Sequence, residues 1–298
     1  MLITNDVETT SILNHRLSDE AGELVYKQGM PRLLDLYSKY NIKATFFFTG
    51  YIAKLFPEVV KMVIPYGHEI GSHGLVHEVD KAFDLLNFNE QKRHLSESKK
   101  ILEDISGQEI ISFRAPAARV NSQIAKALFE TGYKIDSSVA SQRLDMFFSF
   151  GSLKKLIWLT TPRLPYYTNP NNIFRKGDGK ILEIPISAFG IPYIGTVLRI
   201  SPLLNILNRF FLHLETKVNN RPFVFLAHPN EFIDEARVLN EIERRSKTYL
   251  SYLFGDVIRH HLKIRNLGIK ALPLLEAEIR FFKNNNFEFL RCCDLLIE

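Results

Sequence analysis

The chain has 298 residues, of which 46% are hydrophobic and 24% charged, with 23 phenylalanines. This composition supplies a large core and excludes a disordered chain. The formal net charge of +5 is compatible with an acidic substrate or anionic lipid, whereas no basic run is dense enough to indicate a nucleic-acid partner.

Short apolar runs alternate with amphipathic segments along the chain. The strand candidates, in chain order, are residues 1–4, 43–49, 68–72, 110–113, 133–138, 180–186, 222–228 and 287–290. The helical candidates are residues 30–40, 56–66, 89–106, 121–132 and 272–286. This alternation predicts a mainly parallel sheet, and its number of repeats favours a (β/α) barrel over an open sheet.

Two stretches interrupt the alternation. Residues 139–179 contain Trp158 and the segment TTPRLPYYTNPNN, which we interpret as a loop inserted over one face. Residues 232–268 form a charged insertion that we expect to be helical. The prediction is therefore a single α/β domain, spanning 1–298, with two insertions.

Two histidines follow the third strand candidate, in the stretch HEIGSHGLVHE. His73 and His77 are four residues apart, so a helical turn after the strand would project both imidazoles to one side, where they can bind one divalent metal. An isolated pair with this spacing is common and usually marks solvated or core histidines.

Two carboxylates follow the first strand candidate, in NDVE. Because the carboxyl ends of parallel strands meet at one edge of a barrel, Asp6 and Glu8 are expected beside the histidine pair. One carboxylate can bind metal while the other takes a proton from water, as hydrolysis requires. The alternative is an ordinary acidic turn.

Two further strand ends carry polar side chains. Arg114, in FRAP, can hold a carboxylate base in its ionised form. His228, in FLAHP, stands where a general acid for an amine leaving group is needed. Each alone is compatible with a surface arginine or a chance histidine, but the four strand ends together favour metal-assisted hydrolysis.

With these motifs in this order, the sequence resembles the polysaccharide deacetylases of carbohydrate esterase family four. The matching segments are NDVETT, KATFFFTG, GHEIGSHGLVHE, FRAPAARVN, YKIDSS and FLAHP. The resemblance implies a distorted (β/α) barrel with about seven strands, one fewer than the strand candidates above.

The resemblance also implies roles for individual residues. Asp6 would be the general base, oriented by Arg114, and His228 the general acid. Glu8, His73 and His77 would bind the metal, most often Zn²⁺, with Co²⁺ or Mn²⁺ as alternatives. A backbone N–H near Ala115 and Pro116 would face the oxyanion.

The sequence departs from the usual family pattern in two of these positions. Glu8 replaces the usual aspartate ligand, so it could exchange roles with Asp6. The fourth motif lacks its usual form, which leaves Asp136 as a tentative partner of His228.

The first motif resembles the intracellular branch of the family that acts on lipid-linked sugars. It implies removal of an acetyl or formyl group from an amino sugar, in a nucleotide-linked, lipid-linked or polymeric glycan precursor. The absence of a basic or long apolar leader in MLITNDVE predicts a cytoplasmic location. The amphipathic stretch 196–215 is compatible with contact at the inner membrane surface or, as base rates favour, with packing on the barrel.

Two alternatives remain open. The same fold and metal could hydrolyse a non-sugar amide or cyclic imide, or the domain could bind glycans without catalysis. An open groove lined by Trp158, Tyr166 and Tyr167 would favour a sugar, whereas a small closed pocket would favour a heterocycle. The presence of base, ligands and acid makes a non-catalytic domain the weakest hypothesis.

Overall fold

The computed structural model describes residues 1–13, 16–141, 157–235, 257 and 259–296. Most of the predicted insertion at 232–268, including its expected helix, and part of the insertion at 139–179 therefore lie outside the described residues. The division into one domain with two insertions stays a prediction.

Seven parallel strands form the main sheet, in the spatial order β11, β1, β2, β3, β4, β5, β8, and β6 and β7 extend it as an antiparallel edge. The strands of this sheet are β1 (Leu2–Val7), β2 (Thr45–Phe48), β3 (Glu69–Ser72), β4 (Ser112–Phe113), β5 (Ile135–Asp136), β6 (Tyr166–Asn169), β7 (Asn172–Lys176), β8 (Leu182–Glu183) and β11 (Val224–Ala227). A separate two-stranded sheet pairs β9 (Ala188–Phe189) with β10 (Ile191–Pro192). The expected distorted (β/α) barrel is confirmed, although in the described residues the sheet has nine strands, seven of them parallel.

Two sequence predictions about strands are wrong. Residues 287–290 form no strand, and only an isolated parallel bridge joins Leu290 to Leu2. In the first insertion, residues predicted as a loop over one face include the hairpin of β6 and β7. Tyr166 and Tyr167 pair with β8, because an open sheet edge satisfies the hairpin's backbone groups.

Helices cover the outside of the sheet. Their bounds are α1 (Asp19–Leu24), α2 (Met30–Lys39), α3 (Gly50–Leu55), α4 (Pro57–Lys61), α5 (Phe88–Ser106), α6 (Ile124–Glu130), α7 (Gly195–Ile200), α8 (Pro202–Asn219), α9 (Arg259–Lys263) and α10 (Leu272–Asn284), with a π-helical turn at Val25–Gly29. The predicted helix at 89–106 begins one residue earlier, because Asn87 and Glu90 form a capping box there. The amphipathic stretch 196–215 is divided between α7 and α8, because Pro202 begins the second helix.

The barrel closes between β8 and β11 without a regular strand pair. Ser187, four residues after β8, donates its N–H to the Val224 carbonyl at 3.1 Å. Its Oγ accepts the Val224 N–H at 2.9 Å. In the described residues, Ser187 thus joins the two edges of the parallel sheet, together with an isolated bridge between Ile194 and Leu226.

Apolar side chains pack on both faces of the sheet. Every residue of β1, β2, β3 and β11 is buried, as expected for parallel strands covered on both faces. A small cluster that includes Leu2, Phe47 and Ile135 fills part of the barrel interior, and a larger one lies between sheet and helices. Polar residues lie at both ends of the interior: Asp6 and Arg114 near the carboxyl ends of the strands, and Glu69, bonded to Thr45 and Ser112, near the amino ends.

Candidate metal and catalytic site

Asp6 and Glu8 lie at the carboxyl end of β1. Because side chains alternate along a strand, residues two apart face the same side. Both are only 4% exposed although both are charged. Burial at this cost indicates that each carboxylate has a partner.

Arg114 is the partner of Asp6. The Arg114 Nη1 donates to Asp6 Oδ1 at 3.1 Å and to Thr4 Oγ1 at 2.7 Å. Its Nε donates to the Ser137 carbonyl at 2.8 Å and its Nη2 to Ser137 Oγ at 2.7 Å. The guanidinium also stacks 4.6 Å from the centre of the Phe47 ring. It is therefore fixed in place against the Asp6 carboxylate.

His73 directly follows β3 and is 1% exposed. Its Nδ1 lies 2.8 Å from the Arg114 carbonyl, an acceptor, so this nitrogen carries the ring proton. Its Nε2 then presents a lone pair to the site, 3.7 Å from Asp6 Oδ2 and 3.8 Å from Glu8 Oε2. Burial lowers the pKa of His73 and keeps it in the neutral form that a metal ligand needs.

His77 reaches the same point through a loop. The predicted helical turn is wrong: residues 73–78 have no helical structure. Gly74 turns the chain with φ +71°, in the left-handed region, and a Cβ there would lie 2.9 Å from the Phe83 ring. The two imidazole centres are 5.9 Å apart, and His77 Nδ1 contacts Glu8 Oε2 directly. The two histidines do lie close together, as predicted from their spacing, but a loop rather than a helix connects them.

The charges of Glu8 and His77 stabilise each other. Burial alone would raise the pKa of Glu8, but attraction to His77, with smaller contributions from His73 and His228, lowers it to about 2. Burial would likewise lower the pKa of His77, and the attraction of Glu8 outweighs it and raises that pKa. Glu8 is thus ionised, as a ligand must be.

The donor set of these three residues fits a divalent metal. Ligand atoms of Glu8, His73 and His77 all lie within 4.8 Å of one another. Two imidazole nitrogens and one carboxylate oxygen, with further positions left for water or substrate, are typical of a catalytic zinc site. The structure therefore brings together the three predicted ligands.

His228 directly follows β11, which lies on the side of β1 away from β3. Its Nε2 is 3.9 Å from Asp6 Oδ2. Beside it is a cavity of about 140 Å³. The cavity is lined by Glu8, Thr10, Ser11, Ile12, Thr196, Arg199, His228, Asn230, Glu231 and Lys263.

The tentative partner of His228 lies elsewhere. Asp136 contacts Ser138 and Glu183, and burial raises its pKa. Its neighbour Ile135 points into the barrel interior, so the alternation of the strand turns Asp136 to the other face. Within the described part of the chain, the carboxylates within 4.0 Å of the His228 nitrogens belong to Asp6 and Glu231. Glu231 was missed in the sequence, although its spacing of three from His228 was visible.

The backbone near the predicted oxyanion donor is already engaged in part. The Ala115 N–H donates to Ser138 Oγ at 2.9 Å. Pro116 begins a 3₁₀ turn in which Ala117 and Ala118 have φ +52° and +51°. Two consecutive left-handed alanines are strained, a feature that recurs at functional sites.

The aromatic residues predicted to bind substrate do not form an open groove together. Trp158 is 2% exposed and packs in the larger core cluster. Tyr166 is also buried and donates its hydroxyl to the Ile173 carbonyl at 2.6 Å. Tyr167 is 39% exposed. Their roles in substrate binding stay predictions.

Comparison with known proteins agrees with this arrangement. Residues 20–135 match the family described as polysaccharide deacetylase. The predicted family resemblance is confirmed. The matched segment contains His73, His77 and Arg114, whereas Asp6, Glu8 and His228 lie outside it.

Two curated relatives are similar to part of this chain. A peptidoglycan deacetylase of Helicobacter pylori is 33% identical over 119 residues, 40% of this chain and 38% of the relative. A peptidoglycan-N-acetylglucosamine deacetylase of Bacillus cereus is 32% identical over 106 residues, 35% of this chain and 47% of the relative. The matches thus span less than half of either relative.

Solved structures show the same fold. A putative polysaccharide deacetylase from Mycobacterium smegmatis has a TM-score of 0.56 at 20% identity, over 95% of this chain and 90% of that one. A probable polysaccharide deacetylase from Pseudomonas aeruginosa has a TM-score of 0.59 at 16% identity, over 98% and 89%. PuuE allantoinase reaches 0.58 at 16% identity, over 98% and 88%. At these identities the likeness concerns the fold alone.

Proposed function

We propose that this protein is a metal-dependent hydrolase that removes an N-acyl group from an amino sugar. One observation carries the proposal: the ligand atoms of Glu8, His73 and His77 converge within 4.8 Å, and Asp6 and His228 stand beside them. The family match and the names of the two relatives support a sugar amide as the substrate.

The chain's own residues divide the chemistry between them. A divalent metal held by Glu8, His73 and His77 would polarise the amide carbonyl and acidify a bound water. Asp6, held by Arg114, takes a proton from the attacking water as the water oxygen bonds to the carbonyl carbon. His228 donates a proton to the amide nitrogen as the carbon–nitrogen bond breaks. The products are a free amino sugar and acetate or formate.

The first experiment compares metal content and acyl release in the purified protein and in the double variant His73→Ala/His77→Ala. We expect about one zinc per wild-type chain, loss of that zinc in the variant, and release of acetate or formate from N-acyl sugars by the wild type alone. A wild-type protein that binds no zinc, cobalt or manganese would rule out this function.

The same assay separates the alternative substrates. The buried positions of Trp158 and Tyr166 and the small cavity are the features that favour a compact amide or cyclic imide. Release of acyl groups from sugars but no ring opening of a hydantoin supports the sugar hydrolase. The reverse pattern would favour the second candidate, and metal binding without either reaction would favour a binding domain.

A glycan precursor linked to lipid is the substrate class that one surface supports. On α8, eight large apolar side chains are each at least 42% exposed: Leu203, Leu204, Ile206, Leu207, Phe210, Phe211, Leu214 and Val218. Helical periodicity places them on one face, opposite the buried Asn205 and Leu212. An exposed apolar face of this kind, with Lys217 near its edge, suits peripheral contact with an anionic membrane. Among the described residues, no helix is both long and apolar enough to cross a membrane.

Vesicle co-sedimentation tests this contact. The variant Leu207→Ser/Phe210→Ser is expected to stay folded, since both side chains are about half exposed, and to bind anionic vesicles less than wild type. The matched control is Val79→Ser/Leu85→Ser, which removes exposed apolar side chains away from α8 and should keep binding. Wild-type protein that does not bind the vesicles would refute the membrane contact.

A further inference from the structure

Glu231 lies directly behind the acid histidine. It belongs to the 3₁₀ turn Pro229–Phe232 that follows His228, and it is 1% exposed. Its Oε2 accepts the backbone N–H of His228 at 3.2 Å. The same oxygen lies 4.0 Å from His228 Nδ1. Glu231 thus contacts the backbone of His228 and faces the ring nitrogen that points away from Asp6.

Arg199 fixes the other oxygen of Glu231. Its Nε and Nη2 donate to Glu231 Oε1 at 3.1 and 3.0 Å, and Thr196 Oγ1 lies 3.1 Å from the same oxygen. Arg199 is 2% exposed, and its Nη1 donates to the carbonyls of Lys263 and Arg265, each at 2.9 Å. The carboxylate therefore has partners on both oxygens and little freedom to move.

The backbone of α7 approaches the carboxylate closely as well. A Cβ on Gly195 would lie 2.0 Å from Glu231 Oε2. Glycine is the residue that leaves room for the carboxylate here. The position of Glu231 is thus set by an ion pair, by hydrogen bonds and by the absence of one methyl group.

The imidazole of His228 stands between two carboxylates with different surroundings. Asp6, on the Nε2 side, belongs to the site where water is activated, and Glu231, on the Nδ1 side, has no part in that chemistry. The charged or titratable groups around His228 are Asp6, Glu8, His73, Arg199, Glu231 and Lys263.

We propose that Glu231, held by Arg199, is the positioning residue of His228 and directs its Nε2 toward the scissile amide. Glu231 takes the place that the sequence assigned to Asp136. This inference rests on the proposed function, in which His228 protonates the leaving amine. An acid displaced by about 1 Å loses rate without losing substrate affinity.

Glu231→Gln tests the proposal in zinc-saturated protein. Glu231 uses both oxygens as acceptors, whereas glutamine offers one, so either His228 or Arg199 loses its acceptor. We expect kcat to fall about 10-fold to 100-fold with KM within about twofold. We also expect the NMR order parameter of the His228 ring, assigned by comparison with His228→Asn, to fall from about 0.85 to below about 0.6.

The control is Glu278→Gln. Glu278 is also a buried carboxylate, and it accepts Arg209 Nη1 at 2.7 Å and contacts the Tyr193 hydroxyl, outside the cavity lining. The substitution Glu278→Gln should lower the melting temperature but leave kcat and the order parameter of the His228 ring unchanged. A similar change of ring order in both variants would reduce Glu231 to a structural role and overturn the proposal.

Gly195→Ala is the second variant. It keeps every charge and displaces the Glu231 carboxylate, so it should reproduce the mobile ring and the lowered kcat even if Glu231→Gln does not fold. A mobile His228 ring in the wild type, or an ordered ring in both variants, would refute the proposal. Ring order needs no substrate, so it decides the positioning role even if the wild type releases no acyl group, a result that would count against the proposed function alone.

Discussion

Single residues at this site carry charge into a buried environment, and each has a specific partner. Asp6 is held by Arg114, and Glu8 is in contact with His77. A buried charge that loses its partner is strongly destabilising, so these pairs constrain substitution. For Glu8, the contact with His77 also lowers the pKa to about 2, so this carboxylate is ionised, as the proposed role of metal ligand requires.

Replacing Asp6 by Asn should separate the roles of the two carboxylates. Asn keeps the shape of the side chain but cannot act as a base, so kcat should fall about 100-fold to 10,000-fold. Zinc content should be unchanged, because the proposed ligands are Glu8, His73 and His77. Loss of zinc together with activity would instead show that Asp6 and Glu8 exchange roles.

The pKa of Glu8 predicts a dependence of stability on pH. In the folded protein this pKa is about 2, below the usual 4.5, so Glu8 stabilises the metal-free fold above pH 4.5. That contribution, on the order of 3 kcal/mol for one buried group, is lost as the pH falls toward about 2. Urea unfolding of metal-free protein between pH 5 and about 2 should show a smaller decline in Glu8→Gln than in wild type. Equal declines would contradict the assigned pKa.

At the scale of elements, strand ends supply the reacting groups and loops orient them. β1, β3 and β11 each end beside a site residue, while the second histidine depends on the loop after β3. That loop turns at Gly74 rather than in a helix. The metal site is therefore sensitive to backbone conformation between its two histidines.

Gly74→Ala is expected to weaken metal binding. Alanine at φ +71° is strained by about 1 kcal/mol, and its Cβ would meet Phe83 at 2.9 Å. The loop must shift, so zinc affinity should fall about 10-fold, measured by competition with a chelator. Gly107→Ala, also at positive φ but with no atom near its Cβ, controls for strain alone and should leave affinity unchanged.

At the scale of the whole molecule, the described residues form a barrel that closes through Ser187 and through a bridge between Ile194 and Leu226. Ser187 joins β8 to β11, and β11 positions His228. Closure thus determines where the acid stands relative to Asp6 on β1. A defect at this closure, where Ser187 contacts β11, should affect catalysis more than metal binding. The three proposed ligands follow β1 and β3 rather than β11.

Ser187→Ala leaves the buried Val224 N–H without its 2.9 Å acceptor. We expect a loss of about 1–3 kcal/mol in the free energy of unfolding, a lower kcat and an unchanged zinc content. Thr216→Ala, which removes a hydroxyl bonded to the Leu212 and Arg221 carbonyls at the end of α8, is the control. Equal loss of kcat in both would argue against a special role of this closure.

The sequence by itself determined the parallel sheet, most of its strands and the identity of the converging residues. Apolar runs with no polar face predict buried strands, and residues just after them, such as Asp6, His73 and His228, necessarily meet at one edge. Five of the site's side chains, Asp6, Glu8, His73, Arg114 and His228, were predictable for this reason, whereas His77 was predicted from its spacing to His73 through a helical turn that the structure does not have. Helices with caps and clear periodicity, such as α5, were placed within a residue or two.

Tertiary structure decided what depends on contacts between distant segments. Residues 287–290 have the composition of a strand but, among the described residues, form only an isolated bridge from Leu290 to Leu2, whereas β6 pairs with the edge of β8. Asp136 was turned away from His228 by strand alternation, and Glu231 faced it because Arg199, Thr196 and Gly195 converge there. The local sequence determines secondary-structure propensity and which face of a strand each side chain takes. The partner of a buried charge depends instead on tertiary packing, because the cost of desolvating the charge must be compensated by the groups that the fold brings near it.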